Sequence, residues 1–278
     1  MCGICGYVGK MSQQQFHNML CSNETRGGHA WGAAWKENNQ IMYYKEPGRY
    51  AISKFKLDET DLMIAHTRWA TNGKPEQNEN NHPHVGGGIC LVHNGVVSNK
   101  HPKQKTECDS EAILKMIISH DISGYYKIIK AIKKTCEKIK GSFRIAVVST
   151  KFPDRIFIAC DEADPVYFGY GKDWIAFSSE EKDLPKRCTA TQAIGGRIYV
   201  IKTDMTMEMF KFKIPSFASK WEYDWRKSNY HAPYATYSHF GDDFDFPRQK
   251  EDDENECEQC LNTDCNSCDI FKQLFTDG

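Results

Sequence analysis

The sequence has no long hydrophobic run, no excess charge of either sign and no internal repeat. No apolar segment approaches the roughly 20 residues of a membrane span. The N-terminus has no basic region followed by a long apolar core, so we expect no secretory signal. The formal net charge is -1 and the pI is about 6.8. Neither nucleic acid nor a membrane is therefore expected as a partner, and we predict a cytoplasmic protein.

Cysteine is abundant, with twelve residues in a chain of 278. Eight are scattered from Cys2 to Cys188, mostly in apolar stretches where a free cysteine behaves as a small hydrophobe. A chain of this length does not need disulfides to hold a core. We therefore expect a reducing compartment.

The other four cysteines form a C-x₂-C-x₄-C-x₂-C cluster: Cys257, Cys260, Cys265 and Cys268. Two Cys-x₂-Cys pairs can supply four thiolates to a tetrahedral structural zinc. The segment between the pairs is shorter than in most two-pair zinc sites. An iron–sulfur centre, whose ligand spacing part of the cluster matches, and four free thiols remain alternatives.

Short runs rich in Val, Ile, Tyr and Phe recur before and after two amphipathic helical patterns. The helices are expected at about 110–120 and 125–140, with an earlier helix around 13–20. The later strands are separated only by turn-sized gaps, which favours antiparallel pairing. This order predicts an α+β fold in which sheets are covered by helices, and argues against a doubly wound parallel sheet.

The composition changes after about residue 214. Residues 216–250 are rich in aromatic residues and poor in aliphatic ones, and an acidic run then leads to the cysteine cluster. We divide the chain into a main domain, 1–215, and an irregular C-terminal extension, 216–278. The extension is interpreted as a tail packed on the main domain or as a partner-binding arm, because aromatic anchors concentrate at interfaces.

Cys2 is the first candidate for chemistry. Trimming of Met1 would place a thiol and a free α-amine on one residue. The α-amine has a pKa of about 7.7–8.0, so part of it is neutral and able to accept a proton. A thiol with its own base alongside is an activated nucleophile, and Gly3 lets backbone and substrate approach closely.

Three further segments carry binding groups. Arg68 ends a predicted strand, and its planar fork suits a carboxylate. A second strand, GICLV, is expected to end at His93-Asn94-Gly95, where a side-chain amide and a glycine N–H could stabilise an oxyanion. Asp109 precedes a helix and is either an N-cap or a partner for a ligand ammonium.

Together these segments form a specific pattern. The chain contains Cys2-Gly3-Ile4, Arg26-Gly27, His66-Thr67-Arg68-Trp69-Ala70-Thr71, Asn81-His82-Pro83-His84, His93-Asn94-Gly95 and Asp109-Ser110-Glu111. In order and spacing, residues 2–205 resemble class II glutamine amidotransferase domains, in particular the glutaminase domain of glutamine–fructose-6-phosphate aminotransferases. The resemblance implies a four-layer αββα sandwich of the N-terminal nucleophile hydrolase type.

The resemblance also implies roles for individual residues. Cys2 would be the nucleophile with its own amine as base, and Asn94 and Gly95 the oxyanion hole. Arg68 and Thr71 would hold the α-carboxylate of glutamine, and Asp109 its α-ammonium. Trp69 would shape the site and Arg26 would brace the nucleophile loop. The resemblance implies structural or loop-orienting roles for His66, His82, His84 and His93, and no cofactor for catalysis.

Two positions depart from the family pattern. Asn72 stands where relatives have His, and we expect it to remain a substrate-binding donor of altered strength. His29 stands where relatives commonly have Asp, which affects local packing.

The resemblance implies hydrolysis of L-glutamine to L-glutamate and ammonia through a Cys2 thioester. Residues 216–278 show no alternating βαβ pattern, so we expect the ammonia acceptor on a separate synthase protein. A non-catalytic regulatory or scaffold subunit with the same fold, and an N-terminal-cysteine amidohydrolase of another amide, are the alternatives.

Overall fold

The computed structural model describes residues 2–50 and 59–215, which form two antiparallel sheets and three α-helices. The helices are α1 (Gln13–Glu24), α2 (Asp109–Ile118) and α3 (Tyr125–Cys136). The C-terminal extension and its cysteine cluster lie outside the described residues, so the domain boundary, the zinc site and the partner-binding arm stay predictions.

The first sheet has seven strands. In spatial order they are β11 (Thr189–Gln192), β9 (Tyr167–Tyr170), β10 (Trp174–Ser178), β1 (Gly3–Gly9), β4 (Leu62–Arg68), β2 (Ala30–Glu37) and β3 (Gln40–Pro47). The second sheet has six. Its order is β13 (Met207–Lys211), β12 (Arg197–Lys202), β8 (Phe152–Cys160), β7 (Gly141–Ser149), β6 (Ile89–Val97) and β5 (His84–Gly86).

Burial along the strands shows how the layers stack. On β7, Ala146 and Val148 point into the core between the sheets, whereas Ile145 and Val147 point into the core beneath α2 and α3. Because successive side chains of a strand alternate between faces, a strand covered on both sides must be apolar throughout. A third core lies between α1 and the outer face of the first sheet. The predicted four-layer αββα fold is confirmed.

Local signals account for the helix ends. Ser12 and Gln15 form a capping box at the start of α1. Gly124 precedes α3, whose buried face includes Ile128 and Ile132. This helix ends at Cys136, four residues before its predicted end, although Ile139 remains buried beyond it.

Two details differ from the sequence-based expectations. His93-Asn94-Gly95 does not follow β6 but lies within it, since β7 continues to pair with this strand as far as Val97. Asp109 is the first residue of α2 and not its N-cap, a position that Cys108 occupies. None of the helices among residues 2–50 and 59–215 is long and apolar enough to cross a membrane.

Candidate active site

Strand register brings Cys2 to the end of β4. Gly3 pairs with Thr67 across the antiparallel β1–β4 ladder, so the residue before β1 lies beside the residues that follow β4. Cys2 Sγ accepts a hydrogen bond from the Trp69 N–H at 3.3 Å and lies 3.4 Å from the Trp69 carbonyl oxygen. Sequence motifs 67 residues apart therefore meet at one sulfur atom.

Hydrogen bonds and close packing hold the segment around Cys2 in place. Arg26 Nε donates to the Cys2 carbonyl at 2.8 Å, and the Arg26 guanidinium pairs with Glu180. A Cβ atom on Gly3 would lie 2.5 Å from Asn23 Oδ1 and 3.0 Å from Thr67 Oγ1, so a larger residue does not fit without a shift. These contacts hold the backbone at Cys2 in one position.

Arg68 is buried, with 2% of its surface exposed, and anchors the loop that follows β4. Its Nη1 donates to Asn81 Oδ1 at 2.8 Å, and its Nη2 donates to the carbonyls of Asn72 and Gly73, the latter at 3.0 Å. Asn81 Nδ2 in turn donates to the Pro75 carbonyl at 2.7 Å. The Arg68 guanidinium thus holds the loop after β4 in place and also lines the candidate site.

The Asn94 side chain reaches from the second sheet to the first. Its Nδ2 donates to Ser179 Oγ at 3.1 Å, and the same Oγ accepts from the Ile4 N–H at 2.9 Å. Arg144 Nη1 donates to the Ser179 carbonyl at 2.7 Å. Sequence reasoning missed Ser179 and Arg144, which carry no motif signal of their own and are recognised only by these contacts.

Gly95 has φ +145, and a Cβ atom there would collide with the Ser142 carbonyl oxygen and lie 2.9 Å from His93 Nε2. Only glycine fits this position without rearrangement. Asp109 Oδ2 accepts a hydrogen bond from the Val97 N–H at 2.9 Å, so the end of β6 orients the carboxylate at the start of α2.

These residues surround a cavity of about 20 Å³. Its lining comprises Cys2, Arg68, Trp69, Thr71, Asn72, His82, His93, Gly95, Cys108, Asp109 and Ser110. Apart from Asn94, every predicted catalytic and substrate-binding residue contributes to it. The cavity has room for roughly one water molecule, so an amino acid can enter only if part of the wall moves.

The loop after Arg68 forms one wall of this cavity, with Trp69, Thr71 and Asn72 in the lining. A separate, open cleft of about 460 Å³ lies on its other side, lined by His29, Ala70, Thr71, Gly73, Lys74, Pro75, Glu76 and Glu107. Thr71 lines both spaces. Displacement of residues 70–73 would connect the cavity at Cys2 with this cleft.

Burial raises the pKa of the Cys2 thiol, and the Trp69 N–H and Arg68 only partly oppose this effect. The thiol is therefore protonated at neutral pH and needs a base to become a nucleophile. Both polar contacts of Cys2 Sγ in the described part of the chain are with Trp69 backbone atoms. Burial also lowers the pKa of His66, His82, His84 and His93, to about 3 for His84.

No protein-family profile matches the chain. It is 32% identical over 251 residues to the glutamine–fructose-6-phosphate aminotransferase of Caldanaerobacter subterraneus, covering 80% of this chain and 39% of that protein. The chain spans about a third of the length of the first curated relatives that it matches.

Two solved structures share the fold. Glutamine phosphoribosylpyrophosphate amidotransferase from B. subtilis matches with a TM-score of 0.62 at 21% identity, covering 76% of this chain and 49% of that one. A glutamine aminotransferase class-II domain protein from Silicibacter pomeroyi matches with a TM-score of 0.53 at 17% identity, covering 77% and 99%. The chain belongs to the class II glutamine amidotransferases.

The two positions that depart from the family pattern both belong to or contact the loop after Arg68. Asn72 contributes its backbone carbonyl to Arg68 and lines the cavity. The His29 ring stacks on Trp69 with centroids 4.5 Å apart, and its Nδ1 accepts from the Ala70 N–H at 3.1 Å. His29 therefore supports the loop that covers Cys2.

Three buried histidines, His66, His82 and His93, are linked by hydrogen bonds and ring stacking. His66 Nε2 donates to the His93 carbonyl at 3.1 Å, and His93 Nδ1 lies 2.8 Å from Ser110 Oγ. His66 also stacks on His82, with ring centroids 3.8 Å apart. These contacts agree with a structural role, which stays a prediction.

Proposed function

We propose that this protein hydrolyses L-glutamine to L-glutamate and ammonia, with Cys2 as the nucleophile. One observation carries the proposal: a thiol, a guanidinium and a carboxylate, those of Cys2, Arg68 and Asp109, line a single cavity. The two charged groups match the α-carboxylate and α-ammonium of a free amino acid. The thiol lies where the side-chain amide of that amino acid can reach it once the loop opens.

The chemistry follows from these positions. The α-amine of Cys2, freed by removal of Met1, takes the thiol proton, and the thiolate attacks the glutamine amide carbon. The oxygen of the tetrahedral intermediate is stabilised by Asn94 Nδ2 and the Gly95 N–H. Protonated by the same amine, the amide nitrogen leaves as ammonia. Water then hydrolyses the thioester, releasing glutamate and regenerating the thiol.

The direct test is an assay of purified protein with L-glutamine, in which glutamate and ammonia should appear in equal amounts. Glutamine with an acetylated α-amine is the matched control, because it keeps the reactive amide but cannot pair with Asp109. Hydrolysis of both substrates at equal rates would favour the alternative of a general amidohydrolase. Hydrolysis of neither, with or without partner proteins, would favour the scaffold alternative.

Arg68→Lys should mainly weaken glutamine binding, because a point charge cannot replace the planar fork. We expect the KM for glutamine to rise by roughly 10–100-fold, the worth of a hydrogen bond to a charged group, with kcat changed much less. Arg155→Lys is the matched control, since Arg155 pairs with Asp154 away from the site. A fall in kcat as large as the rise in KM would refute this division of roles.

We further propose that the ammonia passes to an acceptor on a separate synthase protein. Ammonia released into water is protonated and is then no longer a nucleophile, so the acceptor site must adjoin the glutaminase site during transfer. The aminotransferase name of the relatives supports transfer to a second substrate. Purification of the native protein and identification of bound chains tests this proposal.

Removal of residues 216–278 should impair stimulation by such a partner more than it impairs basal glutamine hydrolysis. The aromatic composition of this segment suits an interface. The measurement compares hydrolysis rates of the full chain and the truncated chain, each alone and with the co-purified partner and its acceptor. Unchanged stimulation after truncation would place the contact on the main domain.

A further inference from the structure

His82, His84 and Cys108 form a second cluster of reactive groups beside the proposed glutamine site. Their side chains are 3%, 3% and 4% exposed. One ligand atom from each residue lies within 4.8 Å of the other two. The two histidines come from the segment leading into β5, and the cysteine comes from the start of α2, so tertiary packing brings them together.

The histidines carry buried nitrogen atoms without hydrogen-bond partners in the described part of the chain. These atoms are Nδ1 and Nε2 of His82 and Nε2 of His84. Leaving a buried polar atom unpaired destabilises the folded state. A ligand that accepts one imidazole lone pair would satisfy one of these nitrogen atoms in each ring.

Cys108 is also unusual at its position. It is the N-cap residue of α2 but makes no side-chain capping hydrogen bond. Ser, Thr, Asn and Asp are the residues that favour this position, so cysteine gives up a capping interaction there. Its thiol lies 3.8 Å from Asp109 Oδ1. The presence of a thiol is explained if its sulfur serves as a ligand.

We propose that His82, His84 and Cys108 bind a zinc-class divalent cation and that glutamine and this cation exclude each other. Around a tetrahedral zinc, nitrogen and sulfur ligands lie roughly 3.4–3.6 Å from one another. The three ligand atoms, which lie within 4.8 Å of one another, therefore need to approach one another by at most about 1.4 Å, a movement available to side-chain rotation. Two imidazoles and one thiolate leave a fourth position open.

Exclusion follows from the shared cavity. His82 and Cys108 line the same small cavity as Cys2 and Asp109. A cation bound there repels the α-ammonium that Asp109 is proposed to hold, and it fills space that glutamine needs. The exclusion rests on the proposed function, whereas the metal site does not.

The binding test uses Co²⁺, which absorbs strongly in the near ultraviolet when bound to thiolate, on the full chain. The background carries Cys2→Ala and serine in place of Cys257, Cys260, Cys265 and Cys268, which removes the nucleophile and the predicted tail site. We expect one equivalent of Co²⁺ with this band, and displacement by Zn²⁺. Cys108→Ser should abolish the band, whereas Cys21→Ser, on the exposed face of α1, should keep it.

Serine at position 108 is a favoured N-cap, so Cys108→Ser should remain folded and melt close to the parent. A band that persists in Cys108→Ser, or no band in the parent, would overturn the metal site. His84→Ala should weaken Co²⁺ binding by more than the roughly 10–100-fold typical of losing an outer-shell partner. His120→Ala, at the end of α2, is its control, and equal weakening by both substitutions would also overturn the site.

Exclusion is tested on the same background, in which glutamine is not consumed. Because coupling between two ligands is reciprocal, saturating glutamine should weaken Co²⁺ binding at least tenfold. With Cys2 restored, Zn²⁺ should raise the KM for glutamine without lowering kcat, and Cys108→Ser should remove this effect. Cobalt binding that glutamine does not change would overturn exclusion. A protein that binds cobalt but hydrolyses no glutamine when metal-free would instead contradict the proposed function.

Discussion

Cys2→Ala is expected to abolish glutamine hydrolysis, with a rate loss of roughly 10⁴-fold or more. The substitution removes the sulfur that is proposed to form the thioester. It should leave the fold intact, because Cys2 precedes β1 and the bracing by Arg26 is made to the Cys2 carbonyl, which alanine retains. Glutamate release, measured with a coupled assay, decides the result.

Cys21→Ala is the matched control, since Cys21 is exposed on α1 and makes no contribution to the cavity described above. Intact mass should show that the active protein has lost Met1. A chain with one extra residue between Met1 and Cys2 should be inactive, because its α-amine no longer belongs to the nucleophile. Full activity in that chain would refute the terminal amine as base.

Asn94→Ala should lower kcat by about 10²–10³-fold, the usual effect of losing one oxyanion donor. The KM should change little, because the donor acts mainly in the transition state. Asn94 is buried, and its amide nitrogen donates to Ser179 Oγ, a contact that fixes the orientation of the side chain. Steady-state kinetics with glutamine measure both constants.

Asn99→Ala provides the control for this substitution, since Asn99 bonds to the Lys138 carbonyl on an exposed turn. The variant Asn94→Gln keeps a side-chain amide at this position. It should recover only part of kcat, because the longer side chain cannot keep the Ser179 contact. If Asn94→Ala instead raises KM and leaves kcat unchanged, Asn94 acts in substrate binding and not in the transition state.

The local patterns predicted more of the centre of the fold than of its edges. The β6, β7 and β8 segments stand out because each contains a run of buried apolar residues, at 89–92, 145–148 and 156–160. The strand β1 lacks such a run, since its three glycines and single cysteine resemble a loop in composition. In the structure Gly6 packs against the Met63 backbone and the Phe177 ring, where a side chain would not fit.

The sequence by itself determined the chemical groups of this protein. The nucleophile, the arginine fork, the amide–glycine pair and the aspartate are visible because each belongs to a short motif with its own chemistry. The helices α1 and α3 are equally visible, because capping residues and apolar spacing act over one or two turns.

Only the tertiary structure decided how these groups work together. The Asn94–Ser179 contact joins residues 85 positions apart and two different sheets, so no local pattern encodes it. The same holds for the approach of His82 and His84 to Cys108, and for a cavity of about 20 Å³ that closes over Cys2. Such features arise from strand register and layer packing, which depend on long-range contacts between all elements at once.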